Sequence, residues 1–388
     1  MNNIRNNQYK VFARKYRPQG FDQLIGQEFL VKTLSNAIKY ERLAHAFILT
    51  GVRGVGKTTT ARILAKGLNC IGENGKGNIT LQPCGICNSC KDISNGRHID
   101  VLEMDAASNT GVDDVREIIE NSSYKPISSR YKVFIIDEIH MLSKNAFNAL
   151  LKTLEEPPDT VKFIFATTEI RKVPVTVLSR CQRFDLKRVS IHELDALLIK
   201  ICSIENIKSE KNALKIIARA SEGSVRDALS LLDQANALCK SDISENLVLK
   251  MLGKVNDEKI ANVTHLCLDG NISEAVKSYN EIIQNGADPG FILSDILDVI
   301  HLSTLKTIGV EKLEIHEILE DYIIKLSNFG ISKLGRAWQI IINGFSEIKI
   351  APNTKIAVEM ILIRLANIST LPTPSEIIYA LENDEKSE

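Results

Sequence analysis

The sequence has no net charge, no apolar run of membrane length and no signal-like beginning. Its 388 residues include 48 Lys plus Arg and 48 Asp plus Glu, so any contact with nucleic acid would need a local basic patch. No apolar run reaches the roughly 18 residues that a membrane helix needs, and no membrane partner is expected. Residues 1–10 are polar and rich in Asn, without the apolar core of a signal peptide. We therefore expect a cytoplasmic protein with about two to four domains.

Because the cytoplasm is reducing, the eight cysteines are expected to be reduced or metal-bound. Four of them, Cys70, Cys84, Cys87 and Cys90, follow the spacing C-x13-C-x2-C-x2-C in a Gly-containing loop. This spacing suits four thiolates on one tetrahedral ion, and a site closed by four protein ligands is typical of structural zinc. An iron–sulfur cluster also uses C-x2-C steps, but it more often continues as C-x3-C-P, and this continuation is absent here. Unligated thiols are the remaining alternative.

Residues 51–58 read Gly-Val-Arg-Gly-Val-Gly-Lys-Thr, the GxxxxGK[ST] pattern of a phosphate-binding loop. An apolar run of strand length precedes it and a helical pattern follows it. Such a turn aims backbone N–H groups and the helix dipole at a phosphate. Lys57 is predicted to reach the β- and γ-phosphates of a nucleotide, and the Thr58 hydroxyl to ligate Mg²⁺. The predicted contacts in this loop are Gly51, Gly54, Val55, Gly56, Lys57, Thr58 and Thr59.

A second apolar run, residues 132–136, ends in the two acids Asp137 and Glu138. Ligands of α/β sheets collect at the carboxyl ends of the strands. Asp137 is therefore predicted to hold Mg²⁺, and Glu138 to orient or deprotonate the water that attacks the γ-phosphate. Two acids at a solvated strand end are the alternative, which the phosphate loop upstream disfavours.

Two arginines and a threonine are further candidates. Thr168 ends a strand pattern at 162–168, Arg180 follows it, and Arg226 begins a helical pattern. A guanidinium is a permanent, forked charge suited to phosphate. On the residues alone, a surface ion pair is the better explanation of each arginine, and whether Thr168 contacts the γ-phosphate or the attacking water stays open.

Residues 9 to about 184 alternate strand-like and helical patterns, which indicates a parallel sheet with helices on both faces. From residue 190 the strand patterns stop and helical ones follow, three to residue 238 and about five more to residue 368. We predict an α/β core over 1–184 with the cysteine module inserted at about 70–97, a three-helix domain over 185–241 and a helical domain over 242–368. Residues 369–388 are acidic and polar, and are expected to be partly disordered. The predicted strands are 44–50, 99–104, 132–137 and 162–168, and the predicted helices before residue 184 are 28–40, 58–68, 111–121 and 143–156.

Further short segments match a known family from about residue 9 to 368. Besides the loop and the cysteines they are 13–18 (ARKYRP), 25–27 (IGQ), 105–109 (DAASN), 137–142 (DEIHML), 148–158 (NALLKTLEEPP), 166–168 (ATT), 179–181 (SRC), 223–230 (GSVRDALS) and 357–360 (AVEM). Together they resemble AAA+ ATPases, and more closely the gamma/tau subunits of bacterial DNA polymerase III clamp loaders. The resemblance implies an AAA+ core with a zinc module, an α-helical lid and an α-helical collar used for oligomerisation.

The resemblance also implies roles for individual residues. Thr168 matches the residue called sensor 1, and Arg226 the sensor 2 arginine that reaches the nucleotide of its own subunit. Arg180 matches an arginine finger that acts on ATP bound to a neighbouring subunit. Pro18 and Ile25 lie where the family packs the adenine. Glu138, Lys57, Arg180 and Thr168 are thus the predicted catalytic residues.

The implied function is an ATPase that uses ATP, Mg²⁺ and Zn²⁺ and loads a sliding clamp onto primed DNA. Its implied partners are delta, delta prime and further gamma/tau copies, the beta clamp and primer–template DNA. A non-hydrolysing stator subunit and another AAA+ DNA remodeller are the alternatives. The sequence has no trio of acids arranged for a polymerase site, although the family is catalogued under the DNA polymerase that it serves.

The chain resembles the shorter gamma form, since only about twenty residues follow the collar. Four basic residues are candidates for DNA contact, but ordinary solvated surface charge is the better explanation of each. They are Arg116, Lys125, Lys144 and Lys172.

Overall fold

The computed structural model describes residues 10–239, 242–310 and 317–369. The predicted tail, apart from its first residue, lies outside these ranges. The chain divides into two compact units, Met1–Ser244 and Glu245–Glu388, which are described separately below. No helix within the described ranges is long and apolar enough to span a membrane.

The first unit is built on a sheet of five parallel strands in the order β2-β3-β4-β1-β5. The strands are β1 Ala46–Thr50, β2 Val101–Asp105, β3 Lys132–Asp137, β4 Val161–Thr167 and β5 Gln182–Asp185. The central strands β1, β3 and β4 are buried almost throughout, as expected for a parallel sheet covered on both faces. The four predicted strands are confirmed. The edge strand β5 was not predicted, because three of its four residues are polar and only Phe184 is buried.

Ten helices of the first unit lie in its described part. They are α1 Phe12–Lys15, α2 Glu28–Lys39, α3 Lys57–Asn69, α4 Asn88–Ser94, α5 Val112–Ser122, α6 Lys144–Glu155, α7 Val175–Leu178, α8 Ile191–Glu205, α9 Lys211–Ala220 and α10 Val225–Leu238. Short 3₁₀ turns lie at Phe21–Gln23, Ile139–Met141 and Ile170–Lys172.

Helices cover both faces of the sheet. Alternate residues of β1 point to opposite faces. Ile48 therefore joins an apolar cluster with Leu150 of α6, while Phe47 joins a second cluster with Leu64 of α3. The predicted α/β fold class, a parallel sheet with helices on both faces, is confirmed.

In its described residues, the segment after β5 is helical apart from one pair of short strands. α8 begins with a capping box, in which Ser190 and Glu193 exchange hydrogen bonds, and Ser224 caps α10 through the N–H of Asp227. Two short strands, β6 Lys208–Ser209 and β7 Asp242–Ile243, pair in parallel. The expectation that strands stop at residue 190 is therefore wrong here, since two residues are too few to produce a strand pattern.

The second unit is helical over its described residues. It contains α11 Glu245–Leu252, α12 Asp257–Asp269, α13 Ile272–Gln284, α14 Pro289–Thr307, α15 Glu317–Ser327, α16 Gly330–Ile350 and α17 Thr354–Ser369. The sequence predicted about five helices here, whereas the described residues form seven. Breaks as short as the two residues between α12 and α13 do not separate helical patterns in the sequence. One apolar cluster, from Ile260 of α12 to Ala366 of α17, forms the core of this unit.

Candidate functional site

The phosphate loop connects the buried strand β1 to the first turn of α3. Gly54 and Gly56 have φ of 80° and 99°, in the left-handed region that favours glycine. A Cβ on Gly54 would also lie 1.9 Å from Oγ of Ser224, at the beginning of α10. The glycine at position 54 thus allows both the turn and the close approach of α10 to the loop.

Lys57 and Thr58 begin α3 with their side chains held in place. The Lys57 ammonium is buried and donates to the carbonyl oxygens of Gly51 (3.0 Å) and Val52 (3.1 Å). Burial lowers the pKa of Lys57, and the nearby carboxylates of Glu138 and Asp137 oppose this shift. The Thr58 hydroxyl donates to Oδ2 of Asp137 at 2.5 Å. The loop and the end of β3, 79 positions apart in sequence, therefore meet at one point.

Glu138 follows β3 in a left-handed conformation, with φ of 47° and ψ of 45°. Its Oε2 accepts hydrogen bonds from the backbone N–H of Thr168 (3.1 Å) and from the Thr168 hydroxyl (3.0 Å). Thr168 comes directly after β4, the sheet neighbour of β3. Parallel pairing thus places the predicted catalytic acid beside the predicted sensor threonine.

The two candidate arginines have different surroundings. The backbone N–H of Arg226, in the first turn of α10, donates to the carbonyl oxygen of Gly54 at 3.4 Å, and its side chain is exposed. The Arg180 guanidinium donates to Glu155 (2.6 Å) and to the carbonyl oxygen of Thr176 (2.7 Å). Arg226 therefore lies against the phosphate loop of its own chain, whereas Arg180 donates its hydrogen bonds to residues outside that loop.

The segments that contain Pro18 and Ile25 form hydrogen bonds with the same α/β core that carries the phosphate loop. Both residues are half-buried. Beside Pro18, Nε of Arg17 donates to Oγ1 of Thr59 in the first turn of α3 at 2.9 Å. Beside Ile25, Gln27 exchanges hydrogen bonds with the backbone of Lys187 after β5 (3.0 and 3.3 Å).

Arg17 was not selected from the sequence, although it belongs to the matching segment 13–18. Burial is the largest of the effects that lower the pKa of Arg17, and the neighbouring positive charges of Arg62 and Arg226 lower this pKa further. Arg17 therefore adds a guanidinium close to Arg226 and to the helix that begins at the phosphate loop. Its partner Thr59 is 42 positions away, so no local pattern indicated this contact.

The basic candidates for DNA contact are on the surface. Arg116 and Lys172 are half-exposed or more and pair with Asp113 and Glu169 of their own helical turns, both at 2.8 Å. Lys125 and Lys144 are exposed. These surroundings are those of ordinary solvated charges.

The four cysteines of the inserted module converge. Their sulfur atoms all lie within 4.8 Å of one another, and Cys70 and Cys90 are buried. A tetrahedral zinc ion with metal–sulfur bonds of about 2.3 Å needs sulfurs about 3.8 Å apart, a spacing that the limit of 4.8 Å allows. The four cysteines therefore fit zinc. Backbone N–H groups of Gly72 and Cys84 lie 3.4 Å from Sγ of Cys70. Such donors stabilise thiolates.

The thiols of this cluster differ in acidity. Burial opposes ionisation of Cys84, but the N–H groups of Cys87 and Ile86 outweigh it and lower the pKa of Cys84 to about 7. Burial raises the pKa of Cys90. A cation among the sulfurs would compensate the cost of ionising the buried thiol. The chemistry of the cluster therefore fits a metal better than it fits four free thiols.

The strand order, the phosphate loop and the acids beside it define the chain as a protein of the AAA+ class. It is 40% identical over 371 residues to the DNA polymerase III subunit gamma of Buchnera aphidicola subsp. Baizongia pistaciae, covering 94% of this chain and 98% of that subunit. The chain therefore belongs to the gamma/tau subunit family of the bacterial DNA polymerase III clamp loader.

Family models match along most of its length. Residues 26–190 match the model described as DNA polymerase III, delta subunit. Residues 193–241 match the ATPase lid domain of the DNA polymerase III clamp loader subunit, and residues 243–381 match domain III of subunits gamma and tau.

The tau relatives are longer than this chain. It is 40% identical over 372 residues to the tau subunit of Escherichia coli K12, covering 94% of this chain and 57% of that subunit. The chain thus spans about half the length of the tau relatives that it matches.

Among solved structures, the RuvB Holliday junction branch migration motor of Thermotoga maritima is 22% identical with a TM-score of 0.46, over 80% of this chain and 91% of that one. This similarity is too low to carry a functional conclusion.

Proposed function

We propose that this chain is the ATPase motor subunit of a clamp loader, which uses ATP binding and hydrolysis to place a sliding clamp on primed DNA. The observation that carries this proposal is the assembly at the phosphate loop, where Thr58 bonds to Asp137 and Lys57 lies near Glu138. Lys57 would contact the β- and γ-phosphates, Thr58 and Asp137 would hold Mg²⁺, and Glu138 would orient the attacking water. Mg²⁺ would neutralise charge that develops on the phosphates.

The remaining site residues complete this proposal. Thr168 would act as sensor 1 through Glu138, and Arg226 as sensor 2 on the nucleotide of the same chain. Arg180 would act on the nucleotide of a neighbouring subunit, and Pro18 and Ile25 would pack the adenine. We further propose a division into a core to residue 184, a lid to residue 241 and a collar to residue 368.

We also propose the partners of the family for this chain. They are delta, delta prime, further gamma/tau copies, the beta clamp and primer–template DNA, in the bacterial cytoplasm. A non-hydrolysing stator is the second candidate, since the model that matches the core is described as the delta subunit. An intact phosphate loop with both acids favours turnover, because a stator has no use for a water-activating carboxylate.

Nucleotide binding is tested by Lys57→Ala. We expect it to abolish detectable ATP binding in a fluorescent-nucleotide titration, because it removes the buried charge that faces the phosphates. Lys39→Ala, which removes an exposed cation of α2, is the control and should bind as the unmodified chain does. Normal ATP affinity in the Lys57→Ala chain would contradict this assignment of the loop.

Zinc is tested by metal analysis of the purified chain, which should contain about one Zn²⁺ per chain, as a closed four-thiolate site requires. Cys87→Ser should lose metal and lower the melting temperature, while the remaining folded protein still binds ATP. Cys239→Ser changes a cysteine outside the cluster and should keep the metal. Iron with visible absorption in anaerobically purified protein would instead support an iron–sulfur cluster.

A further inference from the structure

His140 connects the Glu138 carboxylate to the end of β4. It lies in the 3₁₀ turn Ile139–Met141, and its side chain is only 6% exposed. Its Nδ1 lies 3.0 Å from Oγ1 of Thr167 and 3.3 Å from Oε2 of Glu138. A buried imidazole thus contacts the oxygen of Glu138 that Thr168 also holds.

The surroundings of the ring favour one tautomer. A lone pair on Nδ1 would face the carboxylate of Glu138, so we assign the proton to Nδ1. From there it forms a hydrogen bond with Oγ1 of Thr167 (3.0 Å), and Oε2 of Glu138 lies 3.3 Å from the same nitrogen. Nε2 is 3.6 Å from Oε1 of Glu169, which is beyond hydrogen-bond length. Oγ1 of Thr167 also accepts the N–H of Glu169 at 3.0 Å. The donor that reaches the acid is therefore at the Nδ1 position of the ring.

Among the described residues, the hydrogen bonds to the Glu138 carboxylate and its short contact with His140 involve one oxygen. Oε2 receives the N–H and O–H of Thr168 and lies beside Nδ1 of His140. Oε1 is thereby left to accept a proton from water. A general base with one oxygen anchored and the other available has a restricted orientation, and orientation governs the rate of proton abstraction.

We propose that His140 is a positioning residue for ATP hydrolysis, which holds Oε2 of Glu138 through Nδ1 so that Oε1 can activate the attacking water. The inference rests on the proposed ATPase function and deepens it. His140 does not touch the nucleotide in this scheme, so it should affect the chemical step and leave nucleotide affinity unchanged.

The test is steady-state ATP hydrolysis and nucleotide binding by the full-length chain with three replacements of His140. His140→Ala should lower kcat by about 10- to 100-fold, the effect of a misplaced catalytic group, with the Kd for ATP unchanged. His140→Asn places an amide N–H near the position of Nδ1 and should restore most of the loss. His140→Gln places its amide near the position of Nε2 and should not. An unchanged kcat in His140→Ala, equal rates for Asn and Gln, or a Kd that rises with the loss would overturn the proposal.

Two controls separate this inference from the function on which it rests. Glu138→Gln measured in parallel reports whether Glu138 is the base at all. If Glu138→Gln is inactive while every His140 variant hydrolyses normally, only the role of His140 is wrong. The double variant should be no slower than Glu138→Gln alone, because both changes act on the same step. If His140→Ala does not fold, the comparison of Asn with Gln still decides the question.

Discussion

Glu138→Gln is expected to reduce ATP turnover by about 10²- to 10⁴-fold, the usual contribution of a general base, while ATP still binds. The amide keeps the size of the carboxyl group but cannot take a proton from water. Its oxygen can still accept the hydrogen bonds that Thr168 donates to Oε2, so the fold around the site should persist. The measurement combines steady-state phosphate release with a nucleotide titration of the same preparation.

The matched control is Glu156→Gln, which neutralises an exposed acid just after α6 and should hydrolyse ATP normally. Normal turnover by Glu138→Gln would show that another group activates the water. If Glu138→Gln lost both ATP binding and ATP turnover, Glu138 would instead support the structure of the loop.

Arg180→Ala is expected to bind ATP normally but to lose on the order of 10³-fold in clamp-stimulated hydrolysis, as loss of an arginine finger does. The reason is its position. Its guanidinium pairs with the half-exposed Glu155 and has no hydrogen bond to the phosphate loop of its own chain. A forked cation on the surface can reach the nucleotide of a neighbouring subunit. Arg183→Ala, which removes a nearby exposed arginine paired with Asp185, is the matched control and should keep its activity.

Mixing experiments distinguish action on a neighbour from action within the chain. Arg180→Ala chains mixed with Lys57→Ala chains should regain some activity, because an intact finger can then face an intact phosphate loop. Arg226→Ala chains should not be rescued in this way, since their defect lies in the site of the same subunit. Equal rescue of both arginine variants, or of neither, would remove this distinction.

The central part of the fold was predictable because its signals are local. Glycine spacing and apolar strand runs identify the loop and the strands before the acids. The contact of Thr58 with Asp137 was predictable too, since parallel strands end at the same edge of a sheet. The convergence of the cysteines follows from their two-residue gaps, with Cys70 brought in at the end of α3.

The remaining features depend on contacts between distant segments. β5 is an edge strand whose polar residues give no alternating apolar pattern. His140 acquires its role from the register of β3 and β4, in which Ile136 lies opposite Phe165, so the residues that follow both strands meet. Arg17 likewise depends on how the segment before α2 packs on α3. Single-sequence patterns contain no information about such pairings.

The most direct test of the central claim is the ATP hydrolysis rate of the full-length chain reconstituted with delta and delta prime, measured with and without the beta clamp and primed DNA. A clamp-loader motor should hydrolyse ATP faster when clamp and primed DNA are both present, and a complex that carries Glu138→Gln should show no such increase. A rate that clamp and DNA leave unchanged, or that Glu138→Gln leaves intact, would contradict the account.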